Sequence, residues 1–318
     1  RHTEGCVERG EAMNLLKISD LTKKEIDGLI ARALSLKQRH KKGIPYNPFL
    51  GKTLGLIFEK SSTRTRVSFE AAMYQLGGNT VFMSKADSQI GRGEPIKDTA
   101  RVMSRYVDAI VIRTFGHDVI EEYARYSTVP VINGLTDIHH PCQVLSDMLT
   151  IVEKKGGYDG LTACWIGDGN NMANSWIEAA CILGFKLKLA CPGAYMPDKQ
   201  IMEDVLKDEA SNILLSKDPK HAAKDADVLN TDVWASMGHE KEALKRKKAF
   251  RAYQIDSRIL SLAKNDAIVM HCLPAHREEE ISEDVLEGPN SVVWDQAENR
   301  LHMQKAILEW LLHKGPGQ

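Results

Sequence analysis

Short apolar runs rich in β-branched residues alternate with segments of helical spacing along most of the chain. Parallel strands need long crossovers, and a helix is the usual crossover, so this alternation predicts parallel α/β structure. In the first half, the runs that predict strands are 54–58, 80–83, 109–112 and 129–132. In the second half, they are 161–166, 186–190, 213–215, 228–230, 268–270 and 292–294.

A polar segment separates the two halves. The helical pattern at 143–153 ends in Lys154-Lys155-Gly156-Gly157, and basic residues followed by glycine are typical of a helix end. Because 318 residues suffice for two domains of about 150 residues each, we expect a tail at 1–12, a first domain at 13–153 and a second at 154–295. A helix at 296–318 should return to the first domain. The predicted fold class is α/β, with two doubly wound parallel-sheet domains and an active site in the interdomain cleft.

Composition excludes several kinds of partner. Lys and Arg together number 42 and Asp and Glu 43, so the chain has no overall basic field for nucleic-acid binding. No apolar run approaches the ~18 residues of a membrane span. The six cysteines are scattered without a C-x-x-C pair, which indicates reduced thiols and a cytoplasmic location. We therefore expect small-molecule substrates rather than nucleic acid or membrane.

The segment Ser62-Thr63-Arg64-Thr65-Arg66 lies where a predicted strand gives way to a helical pattern. Backbone N–H groups at a helix N-terminus lack partners and the helix macrodipole is positive there, so this end attracts anions. Hydroxyl and guanidinium groups add further donors. The segment therefore predicts a site for phosphate or another compact anion, although a serine cap with solvated arginines explains the segment alone equally well.

Further donors follow other predicted strands. Arg113 ends the run 109–112, where a buried guanidinium needs an anionic partner, and by itself it fits a structural salt bridge better than a site. His140 and Gln143 begin another helical pattern, and a histidine, an amide and a helix N-terminus together suit a polarised carbonyl oxygen. Because ligands of open α/β sheets bind at the carboxyl ends of the strands, we expect these groups to converge on one anion.

Two motifs of the second half allow competing interpretations. Gly167-Asp168-Gly169-Asn170-Asn171 has only part of the glycine fingerprint of an NAD site, and no acidic residue follows the next predicted strand. Asn171 is expected instead to hold a carboxylate through its amide. His271 and Cys272 are residue types that ligate zinc or form a thiolate nucleophile, but no second ligand cluster accompanies them. A buried thiol at a strand end is the more common arrangement.

Six motifs, in this order, resemble those of the aspartate/ornithine carbamoyltransferase family. They are S-T-R-T-R, D-x-Q-x-G-R-G-E-P-I-K-D-T-A-R-V at 87–102, H-P-C-Q, D-V-W-x-S-M-G at 232–238, H-C-L-P-A-H-R and D-Q-A-E-N-R at 295–300. The matches run from 54 to 300, so the resemblance covers essentially the whole folded chain. It implies transfer of a carbamoyl group from carbamoyl phosphate to the δ-amine of L-ornithine, which gives L-citrulline and phosphate without a metal or organic cofactor.

The resemblance also implies roles for individual residues. On the carbamoyl phosphate side these are Ser62, Thr63, Arg64, Thr65, Arg113, His140, Gln143 and Arg300. On the ornithine side they are Asn171, Asp232, Ser236, Met237, Cys272 and Leu273. Those expected to take part in catalysis are Arg113, His140, Asp232 and Cys272. Gln89 is expected to reach the site of a neighbouring subunit, which implies a homotrimer with shared active sites and leaves larger assemblies open.

Two alternatives stay open at this point. Another amine acceptor, such as aspartate, putrescine or N-acetylornithine, would suit the same family. Asp232 before Ser236-Met237-Gly238 favours ornithine, because an acid there suits a free α-ammonium group, which an acetylated or decarboxylated acceptor does not offer. A non-catalytic anion-binding protein would use a similar cleft, but it would need no thiol such as Cys272 beside the acceptor nitrogen.

Overall fold

The computed structural model describes residues 13–84, 93–207, 212–235 and 242–313. These residues form two parallel β-sheets with helices packed around them, so the predicted α/β fold class is confirmed. The predicted tail at 1–12 lies outside the described residues. The two sheets lie on either side of residue 154 in the sequence, and the domain boundaries themselves stay a prediction.

The first sheet is built from four strands: β1 (Thr53–Phe58), β2 (Asn79–Ser84), β3 (Ala109–Arg113) and β4 (Val131–Leu135). They are all parallel, in the order β2-β1-β3-β4. A 3₁₀ turn (Ile18–Asp20) and α1 (Lys23–Lys41) precede them, and α2 (Thr63–Gln75), α3 (Ile96–Met103) and α4 (His117–Tyr126) form the crossovers. The predicted strands of this half are confirmed to within three residues at each end.

Helix α5 (Pro141–Lys155) leads to the second sheet, which contains β5 (Thr162–Ile166), β6 (Lys186–Ala190), β7 (Ile213–Ser216), β8 (Val228–Thr231) and β9 (Ile268–His271). These strands are parallel, in the order β7-β6-β5-β8-β9. The helices between them are α6 (Asn171–Leu183), α7 (Lys199–Leu206), α8 (Pro219–Ala223), α9 (Ala243–Phe250) and α10 (Ser257–Leu260). After β9 come α11 (Glu283–Leu286) and the long α12 (Val293–His313).

The predicted strand at 292–294 is wrong, because α12 begins at Val293. Extended contact with the sheet is a single bridge between Ser291 and Val269 of β9, in which the Val269 N–H donates to the Asn290 carbonyl at 2.8 Å. The Val292 N–H donates to the Val269 carbonyl at 3.0 Å, whereas the Val292 carbonyl accepts from the Gln296 N–H as the first bond of a helix. An apolar triplet is too short to distinguish a strand from a helix start, and Val293 enters the core as part of the helix.

Local caps determine where the helices next to the strand ends begin and stop. Ser62 Oγ accepts from the Thr65 N–H at 3.2 Å and so starts α2. Asn170 Oδ1 accepts from the second and third N–H groups of α6. Gly156 ends α5 at a φ of 81°, a left-handed conformation that glycine adopts without a steric penalty. The predicted helix end at 154–157 is therefore confirmed.

Helix α12 connects the two sheets. It packs against α1, α2 and α5 of the first half and against β9 of the second. Residues 141–151 of α5 are all buried, because this helix contacts α1, α6 and α12. One hydrophobic cluster consequently contains side chains from both sheets, such as Leu54 and Leu187. None of the described helices has the length and apolar character of a membrane span.

Each sheet reverses its strand order at one point, and ligands of open α/β sheets bind at such points. In the first sheet the reversal lies between β1 and β3, and Ser62 and Arg113 stand at their carboxyl ends. In the second sheet it lies between β5 and β8, which lead to Asn170 and Asp232. The topology therefore places the predicted anion residues and the predicted amino-acid residues at the two switch points.

Candidate active site

The N-terminus of α2 forms the anion-binding end of the candidate site. Ser62 caps this helix, and Thr63, Arg64 and Thr65 occupy its first turn. Thr63 is exposed, Ser62 and Arg64 are half-buried, and Thr65 is buried. Backbone N–H groups in the first turn of a helix have no partners within the helix, so they are available to an anion. The four residues therefore lie as their sequence predicts, at a helix start.

Two arginines from distant parts of the chain meet at Thr65. Arg300 Nη2 donates to Thr65 Oγ1 at 2.7 Å, and Arg113 Nη1 lies 3.5 Å from the same oxygen. Burial lowers the pKa of Arg113 to about 10, with a further contribution from the charge of Arg300. Burial also lowers the pKa of Arg300, and the charge of Arg64 acts on both in the same direction. Cations this close disfavour one another, so an anion between them would be stabilised.

His140 and Gln143 lie at the start of α5, within the field of the same two arginines. The His140 N–H donates to Ser175 Oγ at 2.9 Å, which holds this backbone against α6. Burial, followed by the charges of Arg300 and Arg113, holds the pKa of His140 well below its usual value. The imidazole is therefore neutral at pH 7 and has one N–H to donate. Within the part of the chain that the structure describes, His140 Nδ1 and Gln143 Oε1 are buried without a hydrogen-bond partner.

Asp232 and Cys272 form the opposite side of the candidate site. The Cys272 thiol donates to Asp232 Oδ1 at 3.1 Å, and Asn170 Nδ2 donates to Asp232 Oδ2 at 2.8 Å. Burial, followed by the negative charge of Asp232, raises the pKa of Cys272 well above its usual value. Cys272 is therefore a neutral thiol at pH 7. A nucleophile of this kind acts as the thiolate, so the geometry disfavours a covalent role.

Asn171 and Leu273 border the same side. Asn171 Nδ2 donates to the Thr136 carbonyl at 2.7 Å and so connects α6 to the segment before α5. Leu273 follows β9 with a φ of 57°, a left-handed conformation that is uncommon for a residue other than glycine. Its N–H donates to His271 Nδ1 at 2.9 Å, and this bond supports the strained backbone.

The hydrogen bonds of His271 and Cys272 compete with zinc binding at these two residues. Ligand atoms of Asp232, His271 and Cys272 lie within 4.8 Å of one another. His271 Nδ1 accepts from a backbone N–H, however, and its Nε2 lies 3.0 Å from the buried carboxylate of Glu280. The Cys272 thiol proton is directed at Asp232. Both side chains therefore use their ligating atoms in bonds to the protein, and Cys272 is a half-buried thiol at the end of β9.

Electrostatics connects the two sides of the candidate site. An ionised Cys272 would raise the pKa of both Arg113 and Arg300, so the thiol lies within reach of their charges. The structure thus brings the helix start of α2, both arginines, His140, Asp232 and Cys272 into one cleft. Three predicted site residues lie outside the described residues: Gln89, Ser236 and Met237.

Sequence reasoning missed a buried network behind these side chains. Asp147 accepts from Gln143 Nε2 at 2.9 Å, Gln296 Nε2 at 2.8 Å and Trp176 Nε1 at 2.9 Å. The spacing of four between Gln143 and Asp147 on one helix face is a signal that predicts their contact. Asn170 was also missed as the partner of Asp232, and the contacts of Gln296 and Trp176 with Asp147 have no comparable local signal.

A separate cavity of about 560 Å³ opens between the N-terminal segment, α4 and α6. It is lined by Lys17, His117, His139 and Glu178, among others. None of the predicted site residues lines this cavity. The contacts of Arg113 and Arg300 with Thr65, and of Cys272 with Asp232, therefore select the cleft between the sheets as the candidate active site.

Two family sequence models match the chain in succession. The carbamoyl-P binding domain of aspartate/ornithine carbamoyltransferase matches residues 13–153, and the Asp/Orn binding domain matches residues 159–311. Among curated proteins, an ornithine carbamoyltransferase from Geobacter sulfurreducens is 57% identical over 299 residues, which cover 94% of this chain and 99% of the relative.

Solved structures agree with these matches. An ornithine carbamoyltransferase from Pyrococcus furiosus superposes with a TM-score of 0.91 at 48% identity, covering 97% of this chain and 99% of that one. An anabolic ornithine carbamoyltransferase from Campylobacter jejuni gives a TM-score of 0.87 at 43% identity, covering 94% and 98%. With the motifs, the two-sheet fold and the cleft in agreement, the chain belongs to the aspartate/ornithine carbamoyltransferase family.

Proposed function

We propose that the protein transfers the carbamoyl group of carbamoyl phosphate to the δ-amine of L-ornithine, giving L-citrulline and phosphate. The observation that carries this proposal is the meeting of Arg113 and Arg300 at Thr65, near the Cys272 thiol. An anion site and an amine site are thereby adjacent. Membership of the family and the similarity to ornithine carbamoyltransferases support these two substrates.

The phosphate group binds at the N-terminus of α2. Hydroxyls of Ser62, Thr63 and Thr65 and the guanidinium of Arg64 supply donors there, in addition to the backbone N–H groups of the first turn. The mutual repulsion of the buried arginines is relieved when a dianion binds between them. Carbamoyl phosphate is therefore the substrate that binds first, because its charge completes the surface that the amine then meets.

The carbamoyl group lies beside Arg113, Arg300, His140 and Gln143. Neutral His140 donates one N–H to the carbonyl oxygen, together with the Arg113 guanidinium. Gln143 Oε1 accepts from the carbamoyl NH₂ group, because Asp147 holds the NH₂ end of the Gln143 amide. Donors to the carbonyl oxygen bind more strongly as negative charge develops on it, so they lower the barrier to attack.

The amino-acid end of ornithine binds at the switch point of the second sheet. Asp232 accepts from the α-ammonium group, and the second N–H of the Asn171 amide donates to the α-carboxylate. Ser236 and Met237 are assigned to this end on the family motif. Cys272 and Leu273 border the δ-nitrogen, where the thiol orients the amine without forming a bond to carbon.

The reaction requires a neutral δ-amine, although an amine like that of lysine keeps its proton up to a pKa of about 10.4. Burial and the nearby arginine charges lower that pKa in the complex. The nitrogen lone pair then bonds to the carbonyl carbon, and the carbonyl electrons move to oxygen. When the carbonyl re-forms, the bond from carbon to the phosphate oxygen breaks. The departing phosphate accepts the surplus proton from nitrogen, which leaves citrulline and hydrogen phosphate.

We also propose a homotrimer with shared active sites. Gln89 follows β2 in the sequence, and β2 is an edge strand of the first sheet. Large apolar side chains are exposed on β2 and on α2, which packs against it: Val67, Tyr74 and Val81. Exposed apolar surface beside an edge strand is typical of a subunit contact, and a contact there would bring Gln89 next to another subunit.

A cytoplasmic location and a role in arginine biosynthesis complete the proposal. Within the described residues, Cys142, Cys164, Cys191 and Cys272 form no disulfide, which suits a reducing compartment. The related enzyme from Campylobacter jejuni is an anabolic one, and this relationship supports synthesis rather than breakdown.

An assay of four amine acceptors tests the proposed reaction directly. With carbamoyl phosphate in excess, ornithine should be carbamoylated in preference to putrescine, N-acetylornithine and aspartate. Putrescine lacks the carboxylate for Asn171, N-acetylornithine lacks the free ammonium for Asp232, and aspartate must use its single amine as the nucleophile. Loss of a buried charged contact costs ~2–5 kcal/mol, so we expect kcat/KM to be roughly 30-fold or more lower for the other acceptors. Chromatography of the ureido products measures this. Preferential carbamoylation of another acceptor would overturn the choice of ornithine.

Asp232→Asn should reduce kcat/KM for ornithine by a factor of roughly 30 to 4000 and leave the Kd of carbamoyl phosphate nearly unchanged, since only the ammonium contact is lost. Steady-state kinetics and calorimetry separate these effects. Asp227→Asn is the matched control, because Asp227 is buried at the opposite end of β8, where it pairs with Lys264 at 2.7 Å. This control should affect stability only. If Asp232→Asn weakened carbamoyl phosphate binding as much as it reduced kcat/KM for ornithine, the division of the cleft into a phosphate side and an amino-acid side would be contradicted.

Shared sites predict complementation between two inactive parents. Arg113→Ala and Gln89→Ala should each have very low activity, because each lacks a carbamoyl phosphate contact. Mixed after dissociation and reassociation, they should regain activity in hybrid trimers, where one subunit supplies an intact Arg113 and its neighbour an intact Gln89. Native mass spectrometry verifies the exchange. Verified hybrids that stay as inactive as the parents would count against a borrowed Gln89.

A further inference from the structure

One fully buried carboxylate, Asp147, lies behind both sides of the active site and has no part in the proposed chemistry. It stands on α5, and its three hydrogen-bond donors come from α5, α6 and α12. Burial raises the pKa of Asp147 to about 6, and its hydrogen bonds to Gln143, Gln296 and Trp176 oppose that rise. The side chain is therefore predominantly ionised at neutral pH, when it accepts hydrogen bonds and donates none.

An acceptor-only partner determines which way an amide side chain faces. Gln143 carries an oxygen and an NH₂ group that are similar in size but opposite in hydrogen bonding. Because Gln143 Nε2 donates to Asp147 Oδ1 at 2.9 Å, the NH₂ end of the amide faces the carboxylate and the oxygen forms the other end of the amide. That oxygen is buried and has no hydrogen-bond partner among the described residues.

The same carboxylate orients a second amide on the ornithine side. Gln296 Nε2 donates to Asp147 Oδ1 at 2.8 Å, and Gln296 Oε1 accepts from the His271 N–H at 2.9 Å. His271 ends β9, one residue before Cys272. Asp147 is thus connected through one amide to the carbamoyl phosphate side and through another to the strand end that carries the thiol.

We propose that Asp147 is a positioning residue that fixes the Gln143 amide so that an acceptor oxygen, and not a donor nitrogen, meets the carbamoyl NH₂ group. The inference rests on the proposed function, because it assigns carbamoyl phosphate to this cleft. It makes Asp147 responsible for the preference for a carbamoyl over an acyl group. The phosphate contacts at α2 are independent of it.

Binding of three related ligands distinguishes a positioning role of Asp147 from a structural one. Acetyl phosphate has a methyl group where carbamoyl phosphate has NH₂, and inorganic phosphate has neither. In the wild-type protein, calorimetry should show carbamoyl phosphate binding about tenfold more tightly than acetyl phosphate, since a single hydrogen bond to a buried acceptor separates them. A wild-type protein that binds no carbamoyl phosphate would refute the proposed function, which is a different outcome from a failure of the Asp147 proposal.

Asp147→Asn should reduce the preference for carbamoyl over acetyl phosphate to near unity, with the Kd of inorganic phosphate changed less than about threefold. In this variant, the NH₂ group of the new asparagine must face either the Trp176 indole or the amides of Gln143 and Gln296. An indole cannot turn, whereas a glutamine amide can, so Gln143 would present its nitrogen to the carbamoyl group.

Trp176→Phe provides both a control and a rescue. Alone, it removes the donor to the other carboxylate oxygen and should leave the preference intact. Combined with Asp147→Asn, it lets the asparagine turn its NH₂ group toward the phenyl ring and its oxygen toward both glutamines, so the preference should return. A merely structural Asp147 would give a double variant that is worse than either single variant.

The proposal is overturned if Asp147→Asn keeps the wild-type preference, if it weakens all three ligands equally, or if the double variant fails to restore the preference. Gln143→Leu covers the case in which the Asp147 variants do not fold. It removes the oriented oxygen and should also abolish the preference, so an unchanged preference in this variant would overturn the proposal as well.

Discussion

Two guanidinium groups buried at one hydroxyl are the interaction on which the cleft depends. Arg113 comes from the first sheet and Arg300 from α12, and both approach Thr65 Oγ1. Burial lowers the pKa of each, and the charge of Arg300 lowers the pKa of Arg113 further. Within the described residues, Arg300 forms no ion pair, and its Nε has no hydrogen-bond partner. Like charges in a dry site raise the free energy of the empty protein, and a bound dianion lowers it.

The two-sheet architecture explains how these charges reach one point. The switch point of the first sheet supplies Arg113 and the α2 helix start, and the switch point of the second supplies Asp232. Helix α12 then crosses back and contributes Arg300 to the first sheet, while its first turn binds the end of β9 through Gln296. Binding of the anion and positioning of the acceptor thiol therefore depend on the same helix.

Local patterns were sufficient for the parallel α/β fold, because strand and helix periodicities depend on neighbouring residues. They also placed Thr65, Arg113 and Cys272 at strand or helix ends, where a ligand binds. Contacts between distant segments were not predictable: Asn170 donates to Asp232, and Trp176 of α6 and Gln296 of α12 donate to Asp147. The error at 292–294 arose because three apolar residues fit a strand and the first turn of α12 equally well.

The most direct test of a cleft built around buried cations is the unfolding free energy of wild type and Arg300→Met, each with and without carbamoyl phosphate. Arg300 is a desolvated charge with no carboxylate partner among the described residues, and a charge of this kind costs free energy. The ligand-free variant should therefore be at least as stable as wild type. Wild type should gain about 3–4 kcal/mol from ligand at 100 to 1,000 times its Kd, and the variant, at the same ligand concentration, much less. A ligand-free variant that is strongly destabilised, or one that gains as much as wild type from the ligand, would contradict the account.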